Sequence, residues 1–308
     1  MPVDRQWLKA ALKLRGSVIP EIWPRTLLCS AIGAIASVLD ASGINVALPF
    51  NSIIPDLVLG LLLVFRTNTA YDRFWEGRRL WGTLVNTTRN LGRQIWINIQ
   101  VETEAERAQK AAVVRLLSAF AVALKLHLRH EPFHAALKPL VTPPQLQKLD
   151  HQAHVPLQIA FWIGDYLQQQ YQRGRLPLYQ LHGMQELLNG LVDVLGGSER
   201  ILKTPIPLAY AIHLRQLLLL YCCILPFLVV DTWGIWTGLV TGIVSFTVFG
   251  IEEIGVEIEN PFGHDPNDLP LDAICQTITQ NMDEVLTTPP WSGSSWDEAI
   301  AGDRDYRD

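Results

Sequence analysis

Long apolar runs occupy two zones of the chain. Residues 26–65 carry only two charges, Asp40 and Asp56, and no Lys or Arg. This length accommodates two membrane spans of about 20 residues each, with a turn in the stretch LDASGINVALPFNSIIPD, where glycine and prolines interrupt a helix. Residues 216–251 carry one charge, Asp231, and predict two more spans with a turn near it. Two helical hairpins without a cation favour a membrane over the core of a large soluble protein.

Lys and Arg are distributed unevenly around these zones. Five lie in residues 1–25, eighteen in residues 66–215 and two at the C-terminus, with none in either predicted turn. Because positive charge collects on the cytoplasmic side of a membrane, both termini and the middle segment are expected in the cytoplasm. The predicted division is an N-terminal cytosolic segment at 1–25, transmembrane helices 1 and 2 at 26–66, a cytosolic helical domain at 67–205, transmembrane helices 3 and 4 at 206–257, and a C-terminal cytosolic segment at 258–308.

The middle segment has the periodicity of helices. Apolar residues repeat at helical spacing, as in Leu116, Leu117, Phe120, Leu124 and Leu128, and no long strand-like alternation occurs. The N-terminus, MPVDRQWLKAALKLRGSV, is basic and amphipathic, and it is expected to be retained because it lacks a cleavable apolar region. The sequence therefore predicts an all-α membrane protein with four transmembrane helices per chain and a cytosolic helical domain.

One predicted helix changes character along its length. Leu57, Leu61 and Phe65 are four residues apart, so they share nearly one face over two turns. If several copies of this face met around an axis, they would form stacked apolar rings, and such a constriction can gate ions by dewetting. On periodicity alone, a helix that simply packs against its neighbours is the favoured alternative.

Composition and motifs narrow the function further. A formal net charge of −5 gives no indication of nucleic acid binding. No phosphate-binding loop, dinucleotide motif, nucleophile elbow or H-E-x-x-H pattern occurs, so the protein is not expected to be an enzyme. The stretch HLRHEPFH places His127, His130 and His134 at spacings of three and four. Pro132 interrupts that face, which favours a polar helix end over a metal site.

Four blocks of sequence resemble the bestrophin family. The segment FRTNTAYDRFWEGRRLWG, residues 65–82, is similar to the family's most recognisable signature. The stretches WLKAALKLRGSVIPEIWPR at 7–25, SERILKTPIPLAYAIHLR at 198–215 and ENPFGHDPNDLPLD at 259–272 are also similar to family segments, and they follow in the same order. Residues 100–175 add little to the resemblance.

The resemblance implies a homopentameric ion channel in which the second membrane helix lines the pore. Carried over by position, the family's neck of apolar rings falls on Leu57, Leu61 and Phe65, although family members often have bulkier or β-branched residues at the first two positions. The family's cytosolic constriction falls within 177–190, with Leu181 and His182 as candidates. The implied location is a bacterial inner (plasma) membrane or a related internal membrane.

An acidic segment offers a weak candidate calcium site. Animal bestrophins bind calcium with an acidic run after Pro-Phe-Gly, and the matching positions here include Asp265 and Asp268. Calcium prefers six to eight oxygen ligands, and His264 and Pro266 each remove one donor. We therefore expect no cofactor, and we expect the segment to cap a turn or to start a helix at Asp268, with Pro270 in the first turn.

Charged residues gather where the fourth span and the second helix leave the membrane. Unpaired charge beside a bilayer is costly, so the acidic cluster Glu252, Glu253, Glu257 and Glu259 is expected to pair with arginines of the signature segment, which are Arg66, Arg73, Arg78 and Arg79. The candidate vestibule and inter-helix residues are Arg66, Asn68, Arg73, Glu76, Glu252 and Glu253.

The predicted function is passive conduction of small anions, such as chloride or bicarbonate, through the hydrophobic neck. The expected partners are further copies of the chain, membrane lipids and small inorganic ions. Two alternatives stay open. The first is a monovalent cation channel of the same fold, which would conduct sodium, and the second is a non-conducting membrane scaffold. A carrier would usually show internal repeats or broken helices, and the sequence has neither.

Overall fold

The computed structural model of the protein describes Lys9 and the ranges 13–49 and 53–288. Most of the predicted N-terminal segment before residue 13, and the predicted C-terminal segment from residue 289, lie outside the described residues. Within them the chain is helical and contains no strand. The helices are α1 (Ile19–Ala41), α2 (Ile54–Asn98), α3 (Glu104–Arg129), α4 (His134–Leu137), α5 (Pro143–Leu149), α6 (Val155–Gln172), α7 (Leu178–Lys203), α8 (Leu208–Trp233), α9 (Thr237–Glu257) and α10 (Leu271–Thr287).

The helices form two compact units. The first unit contains the described residues up to Arg78 together with Arg200–Leu269, and the second contains Arg79–Glu199 with the described residues from Pro270 onward. The helices α2 and α7 each contribute residues to both units.

Three segments among the described residues are long and apolar enough to cross a membrane, which are Ile19–Ala41, Glu104–Arg129 and Leu208–Glu257. The last contains α8 and α9, joined by a short 3₁₀ turn at Gly234–Trp236. The apolar part of Glu104–Arg129 is largely buried, because α3 is the core helix of the second unit. Length and composition alone therefore do not make α3 a membrane helix.

The apolar zone at residues 26–65 divides unequally. The helix α1 begins at Ile19 and ends at Ala41, and α2 begins only at Ile54. Twelve residues of α2 precede Arg66, fewer than the roughly 20 that a full span requires. The turn between the two helices falls within the stretch where the sequence predicts it, residues 39–56, and the boundaries of the two membrane spans stay a prediction.

Small residues bring α1 and α9 into close contact in the first unit. An added Cβ on Gly33 would lie 3.0 Å from the Cα of Gly238, and one on Gly238 would lie 3.1 Å from the backbone nitrogen of Ala34. Ser30 Oγ donates to the carbonyl of Gly238 at 2.9 Å, and Ser37 Oγ donates to that of Gly234 at 2.8 Å. Such small-residue packing with side-chain hydrogen bonds is typical of membrane helix pairs.

The N-terminal part of α2 packs one face into the first unit. Leu59 and Leu63 are buried in a cluster with residues of α1, α8 and α9, among them Ile22, Leu218 and Phe249. Burial of an aliphatic side chain away from water is worth about 1.5–3 kcal/mol in a soluble protein, whereas in lipid the same contacts act mainly through close packing. This packing fixes which face of α2 is turned away from the unit.

In the second unit, α3 has a capping box at its N-terminus, and side chains near its C-terminus bind α10. Thr103 and Glu106 form a reciprocal capping box at the start of α3. The Asp272 carboxylate, in the first turn of α10, accepts hydrogen bonds from Lys125 Nζ at 2.7 Å and from Arg129 Nη1 at 2.9 Å. These hydrogen bonds, first that of Lys125 and then that of Arg129, lower the pKa of Asp272 to about 2.

Candidate ion pathway and its charged border

The face of α2 that the first unit leaves uncovered is apolar. Leu57, Leu61 and Phe65 are 71%, 54% and 57% exposed, whereas Leu59 and Leu63 on the opposite face are buried. The 3.6-residue period of the helix separates the two sets. A soluble surface rarely exposes such a stripe, and large exposed apolar patches are typical of protein or membrane interaction surfaces.

The uncovered face becomes polar after Phe65. Asn68, Thr69 and Asp72 are exposed at the positions where the stripe would continue. The hydroxyl of Thr69 donates to the carbonyl of Phe65 at 2.8 Å. The helix therefore changes from an apolar to a polar exposed face without a break in its backbone.

Arg66 marks this change but is turned into the unit. It is 1% exposed, and its Nη2 donates to Glu259 Oε2 at 2.7 Å. Its Nε and Nη1 make no hydrogen bond to any described residue. The other oxygen of Glu259 accepts from the backbone nitrogen of Ile206 at 2.9 Å. One carboxylate thus joins α2, the end of α9 and the segment before α8.

Arg73 binds the C-terminal end of α7. Its Nη2 donates to the carbonyl of Ile201 at 2.6 Å, its Nη1 to that of Thr204 at 2.5 Å and its Nε to that of Glu259 at 3.1 Å. A helix C-terminus leaves carbonyls without intrahelical partners and favours a nearby cation. Burial is the main reason that the pKa of Arg73 is lowered, and the nearby Glu259 opposes that shift.

The remaining acidic candidates pair with other arginines. Glu252, 2% exposed, accepts from Arg215 Nε at 3.0 Å. Glu253 accepts from Arg25 Nη1 at 3.1 Å, and Glu76 pairs with Arg200. The first unit therefore brings the acidic cluster and the signature arginines together through Arg66 and Glu259.

Arg73 meets the cluster only through a backbone carbonyl. Glu257 receives a hydrogen bond from Asn267, and no arginine among the described residues pairs with it. Arg78 and Arg79 are exposed. The sequence alone could not choose among these pairs, because each joins residues more than a hundred positions apart or involves an arginine outside the signature.

The two candidates for the cytosolic constriction differ in exposure. Leu181 is buried within the second unit, so its side chain is not presented at the surface. His182 is exposed and lies 3.4 Å from Glu186, one turn further along α7. Leu178 and Tyr179, which sequence reasoning missed, are the exposed apolar residues at the start of the same helix. Pro177 directly precedes them in the sequence, and a proline there was the available indication that a helix begins at these residues.

The acidic segment after α9 forms a turn of its own. The Asp268 carboxylate accepts from the backbone nitrogen of Asp265 at 2.8 Å, and the backbone nitrogen of Asp268 donates to the carbonyl of Asp265 at 3.0 Å. The helix α10 then begins at Leu271, with Pro270 at the N-cap position. The segment therefore caps a turn, which is the first of the two predicted roles, and the alternative of a helix start at Asp268 was wrong.

Comparison with known proteins identifies the family of the chain. The fold defines an all-helical integral membrane protein with an uncovered apolar stripe on its second helix. The chain belongs to the bestrophin family, because the family model described as bacterial/fungal bestrophin protein matches its residues 2–284. The predicted fold class and the resemblance are thereby confirmed.

Several relatives and solved structures resemble the chain. A voltage-dependent anion channel-forming protein of a Nostoc species is 57% identical over 287 residues, covering 93% of this chain and 94% of the relative. A protein of the same description from a Synechocystis species is 54% identical, with 93% and 94% covered. A crystal structure of a single-substitution variant of the bacterial bestrophin homologue from Klebsiella pneumoniae matches with a TM-score of 0.79 at 31% identity, covering 87% of this chain and all of the other.

Proposed function

We propose that the chain forms a homopentameric channel that passively conducts small anions of the chloride and bicarbonate class. The observation that carries this proposal is the uncovered stripe of Leu57, Leu61 and Phe65, which changes to a polar face beside Arg66. The names of the relatives that are 57% and 54% identical support anions as the conducted species. Family membership supports a channel over an enzyme or a scaffold.

In this proposal the three apolar side chains form stacked rings around the pore axis. Rings of this kind hold no ion by charge, and they oppose passage by excluding water. Selectivity then depends on pore width, helix dipoles and the charged residues at the exits. Asn68 and Asp72 are exposed beyond the proposed neck. His182 is the proposed cytosolic constriction because its side chain is exposed, whereas that of Leu181 is buried.

The proposed placement puts both termini and the charged middle of the chain in the cytoplasm of a bacterial inner membrane or a related internal membrane. The distribution of Lys and Arg supports this orientation. We also propose conduction without a resident calcium ion at Asp265 and Asp268, since the Asp268 carboxylate is engaged by its own turn. Currents in a calcium chelator should equal those in its absence.

The reversal potential of purified protein in planar bilayers tests the selectivity. Under a NaCl gradient, the current should reverse near the chloride equilibrium potential. A reversal near the sodium equilibrium potential would replace the anion proposal with the cation channel of the same fold. Absence of any current, with intact pentamers in particle images, would favour the non-conducting scaffold.

Leu61→Ala tests the neck itself. Shortening this side chain should widen the apolar ring and raise anion flux into vesicles. Leu239→Ala is a matched control, because Leu239 is 57% exposed on α9 but is not part of the α2 stripe. Equal flux from the wild type and both variants would show that the stripe does not limit conduction.

A further inference from the structure

A cluster of metal-binding residue types lies in the second unit, away from the proposed neck. His127 belongs to the last turn of α3, His154 is the residue at the N-cap of α6, and Glu199 lies near the end of α7. His127 Nε2 is 2.6 Å from Glu199 Oε1, and His154 Nε2 is 3.1 Å from the same oxygen. Three separate helices therefore direct their side chains to one point.

The cluster differs from the histidine set that the sequence offered. His130 instead ends α3 in the left-handed conformation, with φ of 55°. His134 lies in the next helix and pairs with Asp150. Only His127 of the three belongs to the cluster, because α3 ends before His130 and His134 lies beyond the break at Pro132.

The surroundings favour a defined site over a solvated ion pair. The side chains of His127, His154 and Glu199 are 27%, 33% and 18% exposed. The two imidazole rings lie against each other, with centroids 4.7 Å apart and planes inclined by 30°. This contact holds both Nε2 atoms toward the same carboxylate oxygen.

The donor set fits a transition metal. Two imidazole nitrogens and one carboxylate oxygen are the ligands that Zn²⁺ uses in three-residue sites, with water in the fourth position. The three donor atoms lie within 4.8 Å of one another. Tetrahedral zinc with bonds of about 2.0–2.1 Å requires ligand atoms roughly 3.3 Å apart. Small rotations of the side chains are therefore sufficient.

The tautomer of His154 permits the exchange of a proton for a metal. Its Nδ1 is buried and makes no hydrogen bond to any described residue. No acceptor or donor there fixes which nitrogen carries the proton. The proton can therefore reside on Nδ1 while the lone pair of Nε2 binds the metal.

We propose that His127, His154 and Glu199 bind a divalent transition metal, with Zn²⁺ as the best-fitting ion. The ion lies between the two Nε2 atoms and the carboxylate oxygen, with each imidazole proton on Nδ1. It thereby crosslinks α3, α6 and α7 within the second unit. This site is independent of ion conduction, because none of its residues belongs to the proposed neck or to its charged border.

The test measures zinc on the full-length oligomer in detergent after dialysis against a chelator. Wild-type protein should bind one Zn²⁺ per chain at this site. His154→Gln and Glu199→Gln should each weaken binding at least about tenfold, since loss of even an outer partner of a metal ligand costs 10–100-fold. His134→Gln is the matched control, because His134 also pairs with a carboxylate in the second unit but lies outside the cluster.

Two results would overturn the proposal. The first is equal zinc affinity in the wild type and both ligand variants. That result would mean that the histidines and the carboxylate contact one another but do not bind the metal. The second comes from the wild type alone and holds even if a variant fails to form oligomers. X-ray absorption of the zinc-loaded protein should show two imidazole nitrogens and carboxylate oxygen around the ion, and a different ligand set would place the metal elsewhere.

Discussion

Removal of the Glu259 carboxylate should destabilise the first unit strongly. In Glu259→Ala, Arg66 loses its ion-pair partner while 1% exposed, and the amide of Ile206 loses its acceptor. Breaking a buried ion pair from one side typically costs about 3–5 kcal/mol, because an uncompensated charge is left behind. Glu253→Ala at the same helix end should cost no more than about 1 kcal/mol, since its partner Arg25 is half exposed.

Unfolding of the purified protein in detergent, followed by tryptophan fluorescence against increasing SDS, measures these differences in the free energy of unfolding. Glu259→Gln should be less damaging than Glu259→Ala, because it keeps the shape and an acceptor for Ile206. Adding Arg66→Met to Glu259→Gln should recover stability by removing the buried charge. The reasoning is refuted if Glu259→Ala and Glu253→Ala destabilise equally, or if Arg66→Met adds a further loss.

Three other substitutions test separate parts of the fold by the same unfolding measurement. Gly238→Val should cost about 1–3 kcal/mol by overpacking against α1, whereas Gly60→Val, where a Cβ meets nothing within 4 Å, should not show this clash. Thr103→Ala should cost about 1 kcal/mol by removing the N-cap of α3, and an unchanged stability would contradict the observed capping box. Asp272 has a folded pKa of about 2, below its value in an unfolded chain, so its contribution is complete above about pH 4 and is lost as the pH falls toward 2. Asp272→Asn should flatten the loss of stability in that interval, and an identical acid profile would refute this assignment.

The exposed stripe of α2 was accessible from the sequence because it depends on local periodicity. Spacing of four residues places Leu57, Leu61 and Phe65 on one face in any helix. The absence of cations from the apolar zones likewise identified α1, α8 and α9. The first residue of α2 was not accessible in the same way, since Ile54 lies inside the stretch predicted as a turn, residues 39–56.

Pairings between distant residues could not be predicted. Glu199 is 72 positions from His127, and their meeting depends on how α3 and α7 pack. The choice of Glu259 over its three acidic neighbours as the partner of Arg66 likewise depends on the position of the end of α9. Local patterns identify which residues need partners, and only the packed helices decide which partners they receive.

The continuity of α2 restricts how a pore lined by this helix could open. The apolar stripe and Arg66 lie on one uninterrupted helix, and Arg66 and Arg73 are both held at Glu259. Turning α2 about its axis to withdraw the stripe would pull both arginines from their acceptors. Opening by rotamer changes of the leucine and phenylalanine side chains leaves those bonds intact. A gate here would therefore open through side-chain motion on a helix whose backbone stays in place, because the two arginines hold that helix in position.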